Sequence, residues 1–425
     1  MGIQKKILIL SYYWPPSGGS GVQRWMYFAK YLKRLGWEPI VITVDEKQAS
    51  YPVIDFSLLE EVKNIRVIKT STREPLRLYS WLSSGSSHQG IPQGELATKS
   101  FFGRLAAYVR GNFFIPDARK GWVSFAIKAA QKILIEEKIT HLITTGPPHS
   151  THLIGLELSN QFEINWWVDF RDPWTDVFYN KQMQRSQSSE AKDAQLEKNV
   201  LQKANGVITT LAGDLHQRLK RKAPDQKFFA IPNGFDSELM ASSKAYPPED
   251  VFHLVYTGLL TQQQAYPSIM KALQKLNGDR PIRFSLAGNI SERIIEEIRI
   301  GLPNVEIIYY GYLDHAAAVA IMKSAHLLLN FIFDGTNMQM ISGKLLEYIA
   351  SQRPILSLGD PNSEAAKFIY KGSCAVMLDS NDLDGIFSFI SQIVKHEGTL
   401  LNIFPEIEKW SRESLTKELI NKCFN

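Results

Sequence analysis

Asp334-Gly335-Thr336-Asn337-Met338-Gln339-Met340-Ile341-Ser342-Gly343-Lys344-Leu345-Leu346-Glu347-Tyr348 is the stretch on which the reading of this chain turns. It follows the apolar run from Leu327 to Phe333, read as a buried strand, and leads into a helix that presents Leu345, Leu346 and Ile349 to a core. Ser342 is placed to cap that helix by accepting from free backbone N–H groups. Lys344 falls in its first turn, and Glu347, three residues on, shares its face. A cation beside unpaired N–H groups at a helix start suits a phosphate, while a carboxylate one turn deeper accepts hydrogen bonds from sugar hydroxyls. Those are the two ends of a nucleotide; an ordinary Lys/Glu pair on an amphipathic surface helix is the competing reading.

The same strand–loop–helix unit recurs on the N-terminal side of this stretch. Strands are predicted at Phe252 to Thr257, Arg283 to Ala287 and Val305 to Tyr309, with helices near Pro267 to Leu276, Ser291 to Arg299 and Ala316 to Met322. Gly258, Gly288 and Gly311 follow the strand ends, where glycine lets backbone approach a ligand. Earlier in the chain, Lys6 to Leu10 and Ile40 to Val44 read as parallel strands. Between them lies Ser11-Tyr12-Tyr13-Trp14-Pro15-Pro16-Ser17-Gly18-Gly19-Ser20-Gly21, then a helix marked by Val22, Trp25, Met26, Ala29, Leu32 and Leu35. This is a βαβ unit with a glycine-rich loop at a helix start, where Gly18 and Gly19 admit an anion and Arg24 is the cation. A dinucleotide fingerprint fails, because Gly19-Ser20-Gly21 is followed by Val22-Gln23-Arg24, although Asp45 at the next strand end keeps a nicotinamide reading open.

Further on, a helix from Trp122 to Ile135 precedes a strand at Leu142 to Thr145 and the loop Gly146-Pro147-Pro148-His149-Ser150-Thr151-His152. Loops at that end of parallel strands carry ligands, so His149 and His152 share the functional candidacy. Asn165-Trp166-Trp167-Val168-Asp169-Phe170-Arg171-Asp172-Pro173-Trp174 places two carboxylates and a guanidinium at one strand end. Asp169, Arg171 and Asp172 read either as cleft-lining groups or as a buried structural Arg–Asp pair. Lys181 to Ser189 reads as a loop before a helix from Ala191 to Lys203, and strands at Gly206 to Thr210 and Phe228 to Ile231 precede the turn Pro232-Asn233-Gly234. The fold class expected is α/β, with two doubly wound, Rossmann-like parallel sheets and a boundary at Pro232.

Composition sets the outer limits. With 425 residues and 44% hydrophobic content, the chain can bury the cores of two domains. The first apolar run, Ile7 to Leu10, is too short for a signal peptide or membrane span, so a cytoplasmic location is expected. Cys374 and Cys423 have no ligand-like spacing, which argues against disulfides and structural zinc. Residues 1–232 hold 31 Lys and Arg against 21 Asp and Glu, and residues 233–425 hold 17 against 22. A basic half beside an acidic one suits an anionic membrane surface or a phosphate-bearing acceptor; the dispersed charges and missing recognition motifs argue against nucleic acid. Leu76 to Ser100 reads as a Ser/Gly-rich excursion, and Phe101 to Phe114 as a basic aromatic amphipathic stretch, suited to core packing or to an anionic membrane.

Gly343-Lys344-Leu345-Leu346-Glu347-Tyr348-Ile349-Ala350, followed by Pro354-Ile355-Leu356, resembles the donor-site helix of family 4 glycosyltransferases. The resemblance extends through the Pro-Pro/Gly-Gly loop, the His149 loop, Asp169 to Trp174, the Asn233-Gly234 junction and the final helix. It implies a GT-B architecture, with an acceptor-side domain over 1–232, a nucleotide-sugar donor domain over 233–405, and a terminal helix over 406–425 that crosses back to the first domain. The implied reaction is retaining, metal-independent transfer of a sugar from a nucleotide-diphosphate sugar to a hydroxyl of a glycan or lipid-linked acceptor, in cell-surface polysaccharide or lipopolysaccharide synthesis. No cofactor is implied, since the nucleotide sugar is a co-substrate.

By the same resemblance, Glu347 binds the donor ribose, Lys344, Arg24, Gly18, Gly19 and Gly258 surround the phosphates, Tyr312 and Leu313 lie near the base, and His149 contacts the transferred sugar. Asp169, Arg171 and Asp172 fall on the acceptor side. Two positions depart from the family pattern: Gln339 stands where the first of two glutamates is found, and Leu259-Leu260-Thr261-Gln262-Gln263-Gln264 lacks the usual cation. A sugar-nucleotide 2-epimerase of the same fold and a non-catalytic nucleotide-sugar or glycan-binding protein are the alternatives, together with the nicotinamide oxidoreductase.

Overall fold

In the computed structural model the described residues are 5–74, 108–176, 185–248, 250–276, 280–332, 343–396 and 399–425. The Leu76 to Ser100 excursion, Phe101, Phe102, Gln339 and the Ser342 cap lie outside them. Contacts divide the chain into one unit of Met1–Pro232 with Leu415–Asn425 and another of Asn233–Ser414.

The first unit holds seven strands: β1 (Lys5–Leu10), β2 (Trp37–Val44), β3 (Arg66–Thr70), β4 (His141–Gly146), β5 (Asn165–Phe170), β6 (Gly206–Thr209) and β7 (Phe228–Ala230). They are parallel in the order β3-β2-β1-β4-β5-β6-β7. The order reverses between β1 and β4, so the loops leaving those two strands flank a switch point, where doubly wound sheets take ligands. Ile7, Leu8, Ile9 and Leu10 of β1 are all fully buried, but they serve two cores. Leu8 and Leu10 pack with Trp122, Ile154 and Trp166, while Ile7 and Ile9 pack with Trp25, Trp37 and the returning Leu415 and Leu419. A sheet covered on both faces therefore reads as a continuous apolar run.

The second unit repeats the plan with β8 (Phe252–Thr257), β9 (Ile282–Ala287), β10 (Val305–Tyr309), β11 (Leu327–Phe331), β12 (Ile355–Leu358) and β13 (Ala375–Leu378). Its order is β10-β9-β8-β11-β12-β13, with the reversal between β8 and β11. Leu254 and Tyr256 face one core, and Val255 the other. The strand-end glycines predicted from sequence form one packed row. Gly258 and Gly288 have φ of 120° and 123°, and a Cβ on Gly288 would fall 2.2 Å from the Gly258 carbonyl oxygen. Only glycine allows both that backbone conformation and that approach.

The β4–β5 edge is held by one buried ion pair. Asp169, fully buried, accepts from Arg24 Nη2 at 2.7 Å, Arg24 Nε at 3.0 Å, Trp25 Nε1 at 2.7 Å and Thr145 Oγ1 at 2.8 Å. Arg24 also donates to the carbonyls of Ile231 and Pro232. Removing one member of such a pair strands the other in low dielectric, at a cost of roughly 3–5 kcal/mol. Asp169→Ala is therefore expected to lower the melting temperature of the first unit by several degrees, read by calorimetry. Unchanged melting would return both side chains to the list of ligand-facing groups.

Candidate functional site

The sequence-predicted residues separate into those absorbed by the framework and those left presented at the switch points. Arg24 and Asp169 belong to the framework. Arg24 was expected to face donor phosphates; its fork is occupied by Asp169 and two carbonyls, and its side chain is only 1% exposed. Asp169 is likewise saturated by Arg24, Trp25 and Thr145. Gly18 donates its N–H to the Val53 carbonyl, so it does not offer that amide to an anion. Gly19, at φ 91°, precedes the Ser20–Arg34 helix.

Arg171 clamps loops. Its guanidinium donates to the Gly146 carbonyl at 3.2 Å, the Pro147 carbonyl at 2.6 Å and the Gly21 carbonyl, tying the β4 loop to the start of the Ser20–Arg34 helix. A Cβ on Gly21 would lie 2.8 Å from Arg171 Nη1, so this glycine makes room for the clamp. Asp172 is different. Its carboxylate accepts no hydrogen bond among the described residues, and burial pushes its pKa up against the opposing pull of Arg171. It is the carboxylate of the cluster that remains presented.

His149 precedes the Ser150–Gln161 helix and stacks on Trp174, with ring centroids 5.2 Å apart and planes within 10°. Its Nε2–H donates to the Pro173 carbonyl at 3.2 Å, which leaves Nδ1 as an acceptor, buried and without a partner among the described residues. Burial draws its pKa down to about 3, so the ring is neutral. Trp166 Nε1 donates to Thr144 Oγ1, which is also hydrogen-bonded to His152 Nδ1 at 2.9 Å. Nδ1 of His149 and Nε2 of His152, both without a partner among the described residues, face Gly146, where a Cβ would meet them at 2.8 and 2.6 Å.

At the switch point of the second sheet, Lys344 lies in the first turn of the Gly343–Ala350 helix. Its Nζ sits 4.0 Å from the Tyr256 ring centroid, donates to the Thr257 carbonyl at 3.2 Å, and would lie 3.5 Å from a Cβ on Gly258. No carboxylate pairs with it among the described residues, and burial draws the ammonium down to about 7. Tyr348 of the same helix accepts from the Thr257 N–H at 2.9 Å, fastening the helix to the end of β8. The loop after Gly258 contains no cation and closes on itself: Gln264 is buried, accepts from the Thr261 N–H and donates to the Phe331 carbonyl.

Glu347, one turn deeper, is 7% exposed rather than on an open surface, so the surface-pair reading is set aside. His315 Nε2 donates to its Oε1 at 2.7 Å and Arg412 Nη2 approaches the same oxygen at 3.4 Å. Burial alone would raise this carboxyl; His315 and Arg412 outweigh it and hold the pKa below the usual range. Neither partner was legible from the stretch around Glu347, because they lie 32 and 65 residues away in sequence. Tyr312 is 49% exposed beyond Gly311, and Leu313 is half-buried.

A cavity of about 580 Å³ elsewhere in the first unit is lined by Asp176, Arg185, Glu197 and Lys222, among others. Its walls pair internally, Lys222 with Glu197 at 2.7 Å and Arg185 with Asp193 at 2.5 Å. Among the described residues no cluster of His, Cys, Asp or Glu is arranged to hold a metal, and no helix is long and apolar enough to cross a membrane.

No protein-family model matches the chain, and no curated protein matches it. Solved structures do. Sucrose-phosphate synthase from Thermosynechococcus elongatus is 16% identical, with 99% of this chain and 95% of that chain covered and a TM-score of 0.58. Anabaena HepE in complex with UDP and glucose is 13% identical, with 98% of each chain covered and a TM-score of 0.58. The lipopolysaccharide outer core galactosyltransferase WaaB, in its apo form, is 12% identical, with 99% of each chain covered and a TM-score of 0.56. The two parallel-sheet α/β units are thus those of the GT-B glycosyltransferase fold.

Proposed function

We propose that this chain is a glycosyltransferase that moves a sugar from a nucleotide-diphosphate donor to a hydroxyl acceptor, with retention and without a divalent metal. The observation that carries the reading is Lys344: a cation without a carboxylate partner among the described residues, set over Tyr256 beside Gly258, with Glu347 one turn on. When the bond between the anomeric carbon and the diphosphate breaks, negative charge grows on the leaving phosphate. A fixed ammonium aimed at that oxygen lowers the barrier more than it favours the ground state. The new bond joins the acceptor oxygen to the anomeric carbon, and the acceptor proton passes to the departing diphosphate.

Lys344 takes the phosphates, with Gly258 giving them close backbone approach, and Glu347 accepts from the ribose hydroxyls. Tyr312 and Leu313 border the base. In the first unit, His149 Nδ1 is the acceptor offered to the sugar, and Asp172 the carboxylate offered to the acceptor hydroxyl. UDP in the HepE complex favours a uridine donor, and the activity in WaaB's name favours a cell-surface glycan product. The excess of Lys and Arg in residues 1–232 suits peripheral contact with an anionic membrane while a lipid-linked acceptor is handled.

Calorimetric titration with UDP, GDP, ADP and NAD tests the donor site. One nucleoside diphosphate is expected to bind, and Glu347→Ala to weaken it by roughly 10- to 100-fold, the worth of a hydrogen bond to a charged group. Binding of NAD alone, or an affinity indifferent to Glu347→Ala, overturns the assignment.

The ammonium of Lys344 gives a second test. Because its pKa is drawn down to about 7, the charge is present below that pH and lost above it. Affinity for an intact nucleotide sugar, whose diphosphate does not titrate in this range, is expected to fall as pH rises from 6 to 8.5. Lys344→Arg is expected to flatten the profile; a slope that survives in Lys344→Arg would assign it to another group.

A further inference from the structure

Among the described residues, Glu347 is held by one oxygen only. His315 Nε2 at 2.7 Å and Arg412 Nη2 at 3.4 Å both address Oε1, and Oε2 accepts no hydrogen bond among the described residues. The two partners come from separate elements. His315 opens the His315–Lys323 helix, whose start is fixed by Asp314 accepting from the Ala317 N–H at 2.8 Å. Arg412 begins the Arg412–Leu419 helix, with its backbone N–H donating to the Phe235 carbonyl at 2.8 Å. Side-chain exposure is 9% for His315, 9% for Glu347 and 5% for Arg412, so the contact is made in a largely dry environment.

A glutamate carboxylate otherwise rotates broadly about its last torsion. A short donor fixed to one oxygen removes that freedom and sets the plane, and with it the direction in which the second oxygen presents its lone pairs. We infer that His315 is a positioning residue for donor recognition: by fixing Glu347 Oε1 it aims Oε2 at the vicinal hydroxyls of the nucleotide ribose. The inference rests on the assignment of Glu347 to the ribose. It gives His315 a share in specificity with no contact to the ligand, and Arg412 the lesser task of neutralising the charge that His315 orients.

The experiment compares whichever of UDP, GDP and ADP binds tightest with its 2′,3′-dideoxy counterpart, in the wild type, Glu347→Ala, His315→Ala and His315→Gln. In the wild type, loss of the hydroxyls is expected to weaken binding by roughly 10-fold or more, since a buried carboxylate oxygen is left unmatched. In Glu347→Ala the ratio should collapse toward one. His315→Ala should reduce the ratio several-fold while the dideoxy compound binds as before, because the phosphate contacts are untouched. His315→Gln, whose amide nitrogen can stand where Nε2 stood, should restore much of the ratio.

A ratio unaffected by Glu347→Ala overturns the ribose assignment and the inference together. A ratio abolished by Glu347→Ala but intact in His315→Ala overturns the inference alone. Equal weakening of both ligands in His315→Ala does the same, since a residue needed only for folding would act in that way. Thermal melting of His315→Ala close to that of the wild type ensures that the comparison is made on folded protein.

Discussion

A carboxylate with no route to solvent governs the ligand-facing edge of the first sheet. Asp169 is completely buried at the end of β5, and a charge in that position is tolerated only if every lone pair is answered. Arg24 and Trp25, consecutive on one helix, and Thr145 on the neighbouring strand supply the answer. Because Arg24 and Trp25 lie soon after the glycine loop, neutralising Asp169 also fixes where that helix begins and where the loop is held. Arg171 then completes the framework by gathering the carbonyls of Gly21, Gly146 and Pro147. The polar residues that look most catalytic in this part of the sequence are largely its carpentry.

The second sheet solves the opposite problem. There a carboxylate, Glu347, is matched by His315 and Arg412, while a cation is left without a carboxylate among the described residues, with only a carbonyl and an aromatic face for company. Burial of such a lysine disfavours its charged form, and its pKa is drawn down to about 7. The chain has no cation in the loop after Gly258, where Gln264 is used to close the turn.

The α/β plan was legible because β1, β8 and β11 are buried on both faces and so appear as largely apolar runs. β3 carries no such signature: it is an edge strand on which Arg66 and Lys69 are exposed, while β13, the edge of the second sheet, is an apolar run of only four residues, most of them partly exposed. The pairing of Lys344 and Glu347 on one helix was legible, since their spacing is local. A pairing was not legible where the partner is distant. Nothing in the residues around Glu347 points to His315, and nothing in the glycine loop says that Arg24 turns inward to Asp169 instead of outward. Local sequence gives the type of charge at a position, but only the fold decides which opposite charge lies within reach.

The clamp made by Arg171 has a thermodynamic consequence. Loops that must be gathered by a ligand charge their lost freedom against the binding energy, and the association shows a large unfavourable entropy. Here the loop after β4 and the head of the Ser20–Arg34 helix are already stitched together through Gly21, Gly146 and Pro147. Whatever docks on this edge meets a surface whose ordering was completed during folding, so its affinity is set by contact chemistry and desolvation, and little of it is spent on arranging the protein.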